Sequence, residues 1–323
     1  MKYLKLLFVI GLCTMFATLC RGQQVTIYDT ANSELITDDL WAIAVDKSGN
    51  KWLGTLKYGL IKFDGSTFTV FNKENSLLKG DCSTNLFVDS KGNLWAEFSR
   101  PEEGIAKYDG NNWTVFKAAD LGVESIDVRD IREASDGTIW FVFSNKAVIY
   151  KDGAWSAMEI PYENLLCMDI REDGTLAVGC DTLLLVGKNG KWKRFTEGNS
   201  ELQLGTIRGL KFRPDGSLMI GYGGGFGGGG LSVLSSNFKK WIHYNKSNSR
   251  IPDHMIRDIE YDGKSYWMAS NNGLVKMEEN TISAVFFRDG RFKNVISDIA
   301  IEGKTLWIAT NFGLIRYEIG DAH

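Results

Sequence analysis

The sequence predicts an all-β chain closed into a ring of seven small sheets, and three observations carry that prediction. One phrase recurs seven times: a short apolar strand, a turn containing Gly, a second apolar strand usually opened by Trp, another Gly, and a third strand. It reads LWAIAVDKSGNKWLGTLKYGLIKFD at 40–64 and VISDIAIEGKTLWIATNFGLIRYE at 295–318. The last copy lacks an outer strand, whereas QVTIYD at 24–29 matches the outer strands FTVF and WTVF of other copies. Finally, 44% hydrophobic residues and only four prolines describe a globular chain. Repeats of about 40 residues rich in strand formers are the signature of a β-propeller with one four-stranded blade per copy.

Taken in chain order, residues 1–22 read as a secretory leader. Lys2 and Lys5 precede an apolar run, Leu6 to Leu19, which is short for a membrane span, and cleavage after Gly22 leaves Gln23 first. Lipid attachment at Cys20 is the less favoured alternative, because Leu19 stands where a lipobox wants a small residue. The mature chain is thus expected to be secreted or periplasmic, with no membrane insertion. Losing Lys2, Lys5 and Arg21 takes the formal charge from −3 to near −6. A mildly acidic surface without basic clusters argues against nucleic acid and anionic membranes.

The second strands are anchored at Trp52, Trp95, Trp140, Ala177, Met219, Trp267 and Trp307, spaced 37 to 48 residues apart. The turn before each anchor carries Gly49, Gly92, Gly137, Gly174, Gly216, Gly263 or Gly303, usually beside Asp or Asn, which is hairpin-turn chemistry. Third strands follow, such as GLIKFD and GLIRYE, then outer strands such as NWTVF and KKWIHY, whose alternation fits a half-exposed edge. The domain is placed at 23–320, with blades at roughly 40–72, 84–117, 126–159, 165–197, 207–245, 256–288 and 296–318, the last completed by 24–29.

Regular Trp recurrence points to packing between neighbouring sheets rather than to a binding surface. The DKSGN, DSKGN and SDGT turns hold too few acids for a calcium cage and lack the constant spacing of an Asp box. Three cysteines remain in the mature chain, Cys82, Cys167 and Cys180, with no CxxC or Cys/His cluster, so neither metal nor cofactor is expected. A two-residue turn at Asp173-Gly174 would set Cys167 opposite Cys180, as apolar core neighbours or as a cross-strand disulfide.

The copies resemble the two-component regulator propeller repeat, through DSKGNLW at 89–95, NKWLGT at 50–55 with GLIKFD at 59–64, and TLWIAT with FGLIRY at 305–317. Copies four and five depart most, lacking Trp. The resemblance implies an extracytoplasmic sensing ring of the kind that responds to polysaccharide fragments. It does not imply kinase activity, for which no residues are present.

On a rigid ring, function is expected on the face where second-to-third-strand loops and inter-blade loops open together. Two loops there are long, SRPEEG at 99–104 and YGGGFGGGG at 222–230. The glycine run has GxGxxG spacing without a βαβ unit, so nucleotide binding is not expected. Either it is a flexible link, or its amides approach a ligand with Tyr222 and Phe226 as stacking groups. The other candidates for that face are Lys57, Tyr58, Arg100, Glu102, Glu103, Asn145, Lys146, Asp181, His254, Arg257, Asn271, Asn272, Asn311 and Phe312. Asn, acids and aromatics suit sugar hydroxyls and ring faces, and equally suit turns.

No GxSxG, HExxH or paired-carboxylate motif appears. The expectation is a non-enzymatic module that binds a glycan oligomer or protein partner. The alternative is a metal-assisted polysaccharide or streptogramin-type lyase, or a hydrolase, using His254 with Glu97 or Glu102.

Overall fold

The computed structural model describes residues 25–223, 229–287 and 294–320, and leaves out the side chains of Arg100 and Pro101. The expected leader, Cys20 and Phe226 lie outside the described residues. Seven antiparallel sheets follow one another around a ring, each innermost strand touching the innermost strand of the next, and the seventh touching the first. The first blade comprises Leu40–Val45, Lys51–Thr55, Leu60–Phe63 and Phe68–Phe71 in that spatial order. The other blades repeat it, except that the second has its inner strand broken into Gly80–Cys82 and Leu86–Val88. One helical turn, Ala118–Leu121, lies between the second and third blades. The seven-bladed β-propeller is therefore the fold. Among the described residues no helix is long and apolar enough to cross a membrane.

Closure is made by the strand Val25–Tyr28, which pairs with Gly313–Glu318 in the register Val25 to Tyr317 through Tyr28 to Leu314. It supplies the missing outer strand of the last blade, as the sequence predicts. Tyr28 carries the junction onward, its ring 5.0 Å from Phe63 of the first blade and 6.3 Å from Trp307 of the last.

Seven apolar clusters fill the seven junctions between blades. The anchor tryptophans are their centres. Trp52 meets Tyr108 of the following blade edge-on at 5.5 Å, and Trp95 meets Tyr150 of its own follower at 5.0 Å. In four of the five the indole N–H is satisfied by a turn acid. Trp52 and Trp95 donate to Asp46 and Asp89 at 2.9 Å, Trp267 to Asp262 and Trp307 to Glu302 at 2.7 Å. Each aspartate of the first two turns also accepts two backbone N–H groups and an Asn amide, so its lone pairs are spent on the hairpin.

The second Gly of the phrase has its own reason. Gly59 and Gly313 have φ of +75° and +117°, and a Cβ there would strike the carbonyls of Phe71 and Tyr28. Their N–H groups reach the neighbouring blade, at the carbonyls of Asp81 in its broken inner strand and of Asp38 in the loop before the first blade.

A loop unit that repeats in four blades connects outer strands to the next inner strands. Asn32, Asn75, Asn199 and Asn248 each accept the N–H that ends the outer strand and donate back to a carbonyl within it. The following Ser33, Ser76, Ser200 and Ser249 fold the chain back, seating Leu35, Leu78, Leu202 and Ile251 in the junctions.

The cysteine alignment is corrected. A β-bulge between Leu165 and Cys167 shifts the register, so Leu165 faces Cys180 and Cys167 faces Gly179. Cys167 and Cys180 are buried free thiols in different junctions. Burial pushes the Cys180 thiol up to about 12.

Candidate functional site

Bulges at the start of the inner strands build the mouth of the central channel. The ladder skips one residue between Leu40 and Ala42, Val128 and Asp130, Leu165 and Cys167, Ile207 and Gly209, Ile256 and Asp258, and Ile296 and Asp298. The skipped residues Trp41, Arg129, Leu166, Arg208, Arg257 and Ser297 leave the ladder and, with Thr84 and Asn85 from the broken strand, line one cavity of about 160 Å³. Every blade contributes to it. Trp41 is 40% exposed.

Acids, most of them partly buried, line the same cavity and the layer beneath it. The channel-facing N–H groups of an inner strand have no further strand to bond, so the neighbouring blade's side chains accept them. Asp298 accepts the Ile43 N–H and Asp130 the Met168 N–H, each at 2.8 Å, while Asn85 donates to the Val128 carbonyl at 2.9 Å. One layer lower, Asp169 accepts the Phe212 N–H and Lys211 pairs with Glu260 at 3.0 Å. Arg132 pairs with Asp130 at 2.9 Å and donates to the Met168 carbonyl. These contacts stitch blade to blade around the axis. Burial, then the neighbouring carboxylate, holds Asp298 well above the usual carboxylate range, and burial raises Asp258 also. The two carboxyl groups act on each other, Asp258 disfavouring the ionisation of Asp298.

The cations above are differently placed. Arg129 pairs with Asp127 at 2.9 Å. Arg257 donates to the neutral Asn271 Oδ1 at 2.7 and 3.2 Å. Burial, and then the charge of Arg208, lowers the pKa of the Arg257 guanidinium.

Of the residues singled out from sequence, Arg257 lines this cavity and Asn271 holds it in place. Lys57, Tyr58, Glu102, Asn145, His254 and Asn311 are exposed on loops and do not line it. Asp181 is occupied by the Tyr162 hydroxyl and the Asn164 amide, each at 3.2 Å. Glu103 accepts the Ile126 N–H at 2.9 Å. Two aromatic candidates are corrected. Tyr222 is fully buried at the junction of the fourth and fifth blades, and Phe312, 8% exposed, packs between the sixth and seventh, so neither presents a face for stacking. Glu97 accepts the Thr84 N–H at 3.5 Å in the second blade. Among the described residues, no hydrogen bond or ion pair joins the His254 ring to a carboxylate, and no three His, Cys, Asp or Glu converge as a metal cage.

Sequence reasoning missed Trp41, Arg129 and Arg208. The signal was a column: in every copy the mouth residue stands 10 or 11 positions before the second-strand anchor.

No protein-family model matches this chain, and no curated protein matches it in sequence. Solved structures match it as a fold. Virginiamycin B lyase from Staphylococcus aureus, in a catalytically inactive form with quinupristin, is 15% identical with a TM-score of 0.73, covering 92% of this chain and 99% of that one. YCF48 bound to D1 peptide is 14% identical with a TM-score of 0.65, over 93% and 97%. The extracellular domain of a putative hybrid two-component system from B. thetaiotaomicron is 18% identical with a TM-score of 0.74; the match covers 93% of this chain and 42% of that one. At these identities the likeness is one of architecture alone: this chain shares its propeller fold with a lyase, a protein bound to a peptide and an extracellular domain of a putative two-component system.

Proposed function

We propose that the protein is an extracytoplasmic, non-enzymatic binding module that takes a glycan fragment or a segment of a partner protein at the mouth of its channel. One observation carries this reading: all seven blades contribute side chains to a single cavity whose rim holds an exposed Trp and three Arg. Fixed bulges in a closed ring preorganise that rim, so little ordering entropy is lost on binding. Export rests on the leader at 1–22. The lyase alternative calls for a His254–carboxylate pair, and the exposed His254 ring, which among the described residues has no carboxylate partner, favours binding over chemistry.

The test is a thermal-shift screen of oligosaccharides and peptides against the wild type and Trp41→Ala. A ligand at 100 times its dissociation constant adds about 2.7 kcal/mol of stability. We expect a hit whose affinity falls at least tenfold in Trp41→Ala. A hit bound equally by both proteins would move the site away from the mouth, and turnover of a hit would restore the lyase reading.

A further inference from the structure

We propose that the mouth recognises an acidic sugar: the carboxylate of a uronic acid seated by the guanidinium groups of Arg208 and Arg257, with the sugar ring against Trp41. The inference deepens the reading of the mouth as a binding site and rests on it.

Three observations lead here. First, Arg208 and Arg257 line the same cavity and are close enough for the charge of one to act on the other. Among the described residues no carboxylate is hydrogen-bonded to either. Arg257 is anchored by Asn271, a neutral acceptor, and Asp253 acts on it only through space. Two like charges held together over a cavity repel one another, and an anion between them removes that cost. A guanidinium fork matches a planar carboxylate with two parallel N–H···O bonds.

Second, the acids that line the same cavity, Asp130, Asp258 and Asp298, are engaged elsewhere. Asp130 is paired with Arg132, and Asp298 is occupied by two backbone N–H groups. Burial raises Asp258, and Arg132 and Lys211 act on it from the layer below. Arg129, the third cation of the rim, already has its partner in Asp127. The open positive charge is that of Arg208 and Arg257.

Third, Trp41 lines the cavity and is 40% exposed, unlike Trp52, Trp95, Trp267 and Trp307, which are buried in the junctions. An exposed indole lining the same cavity as a cation pair offers an apolar face and an anion site to one ligand, as a pyranose ring bearing a carboxylate requires. The cavity holds about 160 Å³ and opens to solvent.

Calorimetric titration tests this with trimers of galacturonate, glucuronate and mannuronate, each compared with its methyl ester, which keeps the ring and removes the charge. We expect at least one acid trimer to bind, its ester to bind at least tenfold more weakly, and added salt to weaken only the acid. Arg208→Gln and Arg257→Gln should each lower affinity tenfold or more, while Lys191→Ala on an outer strand leaves it unchanged. Equal binding of acid and ester would overturn the charge assignment and leave the binding site standing. Failure of all three acids, or tighter Arg-dependent binding of a sulfated neutral trimer or an acidic peptide, would overturn the acidic-sugar proposal. Binding unaffected by Trp41→Ala would instead sink the mouth itself.

Discussion

Glu97 is a carboxyl group kept almost wholly from water, 6% exposed, with its Oε2 toward the Thr84 N–H and the charges of Asp127 and Glu103 nearby. Burial chiefly, and then those two like charges, raises its pKa to about 7. A carboxyl that binds its proton more tightly in the fold than in the unfolded chain stabilises the fold fully below its unfolded value, here 4.5, and loses that contribution as pH rises through 7. Glu97→Gln keeps an oxygen for the Thr84 N–H and cannot ionise. Calorimetry across pH should therefore find the variant equal to wild type near pH 4.5 and more stable by roughly 1–3 kcal/mol above pH 8. Equal stability at both ends would remove Glu97 as the source. The same scale shows why the site was only partly legible. Loop-tip residues such as Asp181 were chosen by type, and their polar atoms are spent on their own loops. Arg129 and Arg208 lie inside strands, where strict alternation hides what a bulge does, because one extra residue turns a side chain into the channel.

The repeated hairpin turn was legible as an element, through Asp, Gly and the Trp that follows. The bond from indole to carboxylate was not, since it joins residues five or six apart across the turn. The third blade shows what the bond contributes by lacking it. Ala134 takes the place of Asp46 with the same backbone bonds, 2.8 Å to the Thr138 carbonyl and 2.9 Å from the Gly137 N–H, and the buried Trp140 Nε1 has no partner. Ala134→Asp should supply that acceptor and raise stability by about 1 kcal/mol in a denaturant titration. A lower midpoint would show that Asp136, already bonded to Thr138 and Lys151 in this turn, repels the new charge. The cysteine pairing failed for a related reason: counting from the turn sets the register only up to the first bulge, and Cys167 lies at it.

The ring as a whole was the most legible level, because seven copies and one displaced outer strand admit a single closed arrangement. Its weak point is equally plain. Four residues, Val25–Tyr28, close the last blade and tie it to the first through Tyr28. Deleting them should cost several kcal/mol, replace one cooperative calorimetric transition by a broad one, and leave strand Gly313–Glu318 unpaired. A synthetic peptide of residues 24–32 added to the shortened protein should sharpen the transition again. A deletion with the wild-type melting profile would mean the ring holds without this strand. The closing strand also has a consequence during synthesis. Val25 leaves the ribosome before the first blade and its partner Tyr317 with the last strand of the seventh, so the clasp stays open until every blade has been made. Until then the nascent chain is a row of blades with two raw ends, and the mouth, which needs all seven, does not yet exist.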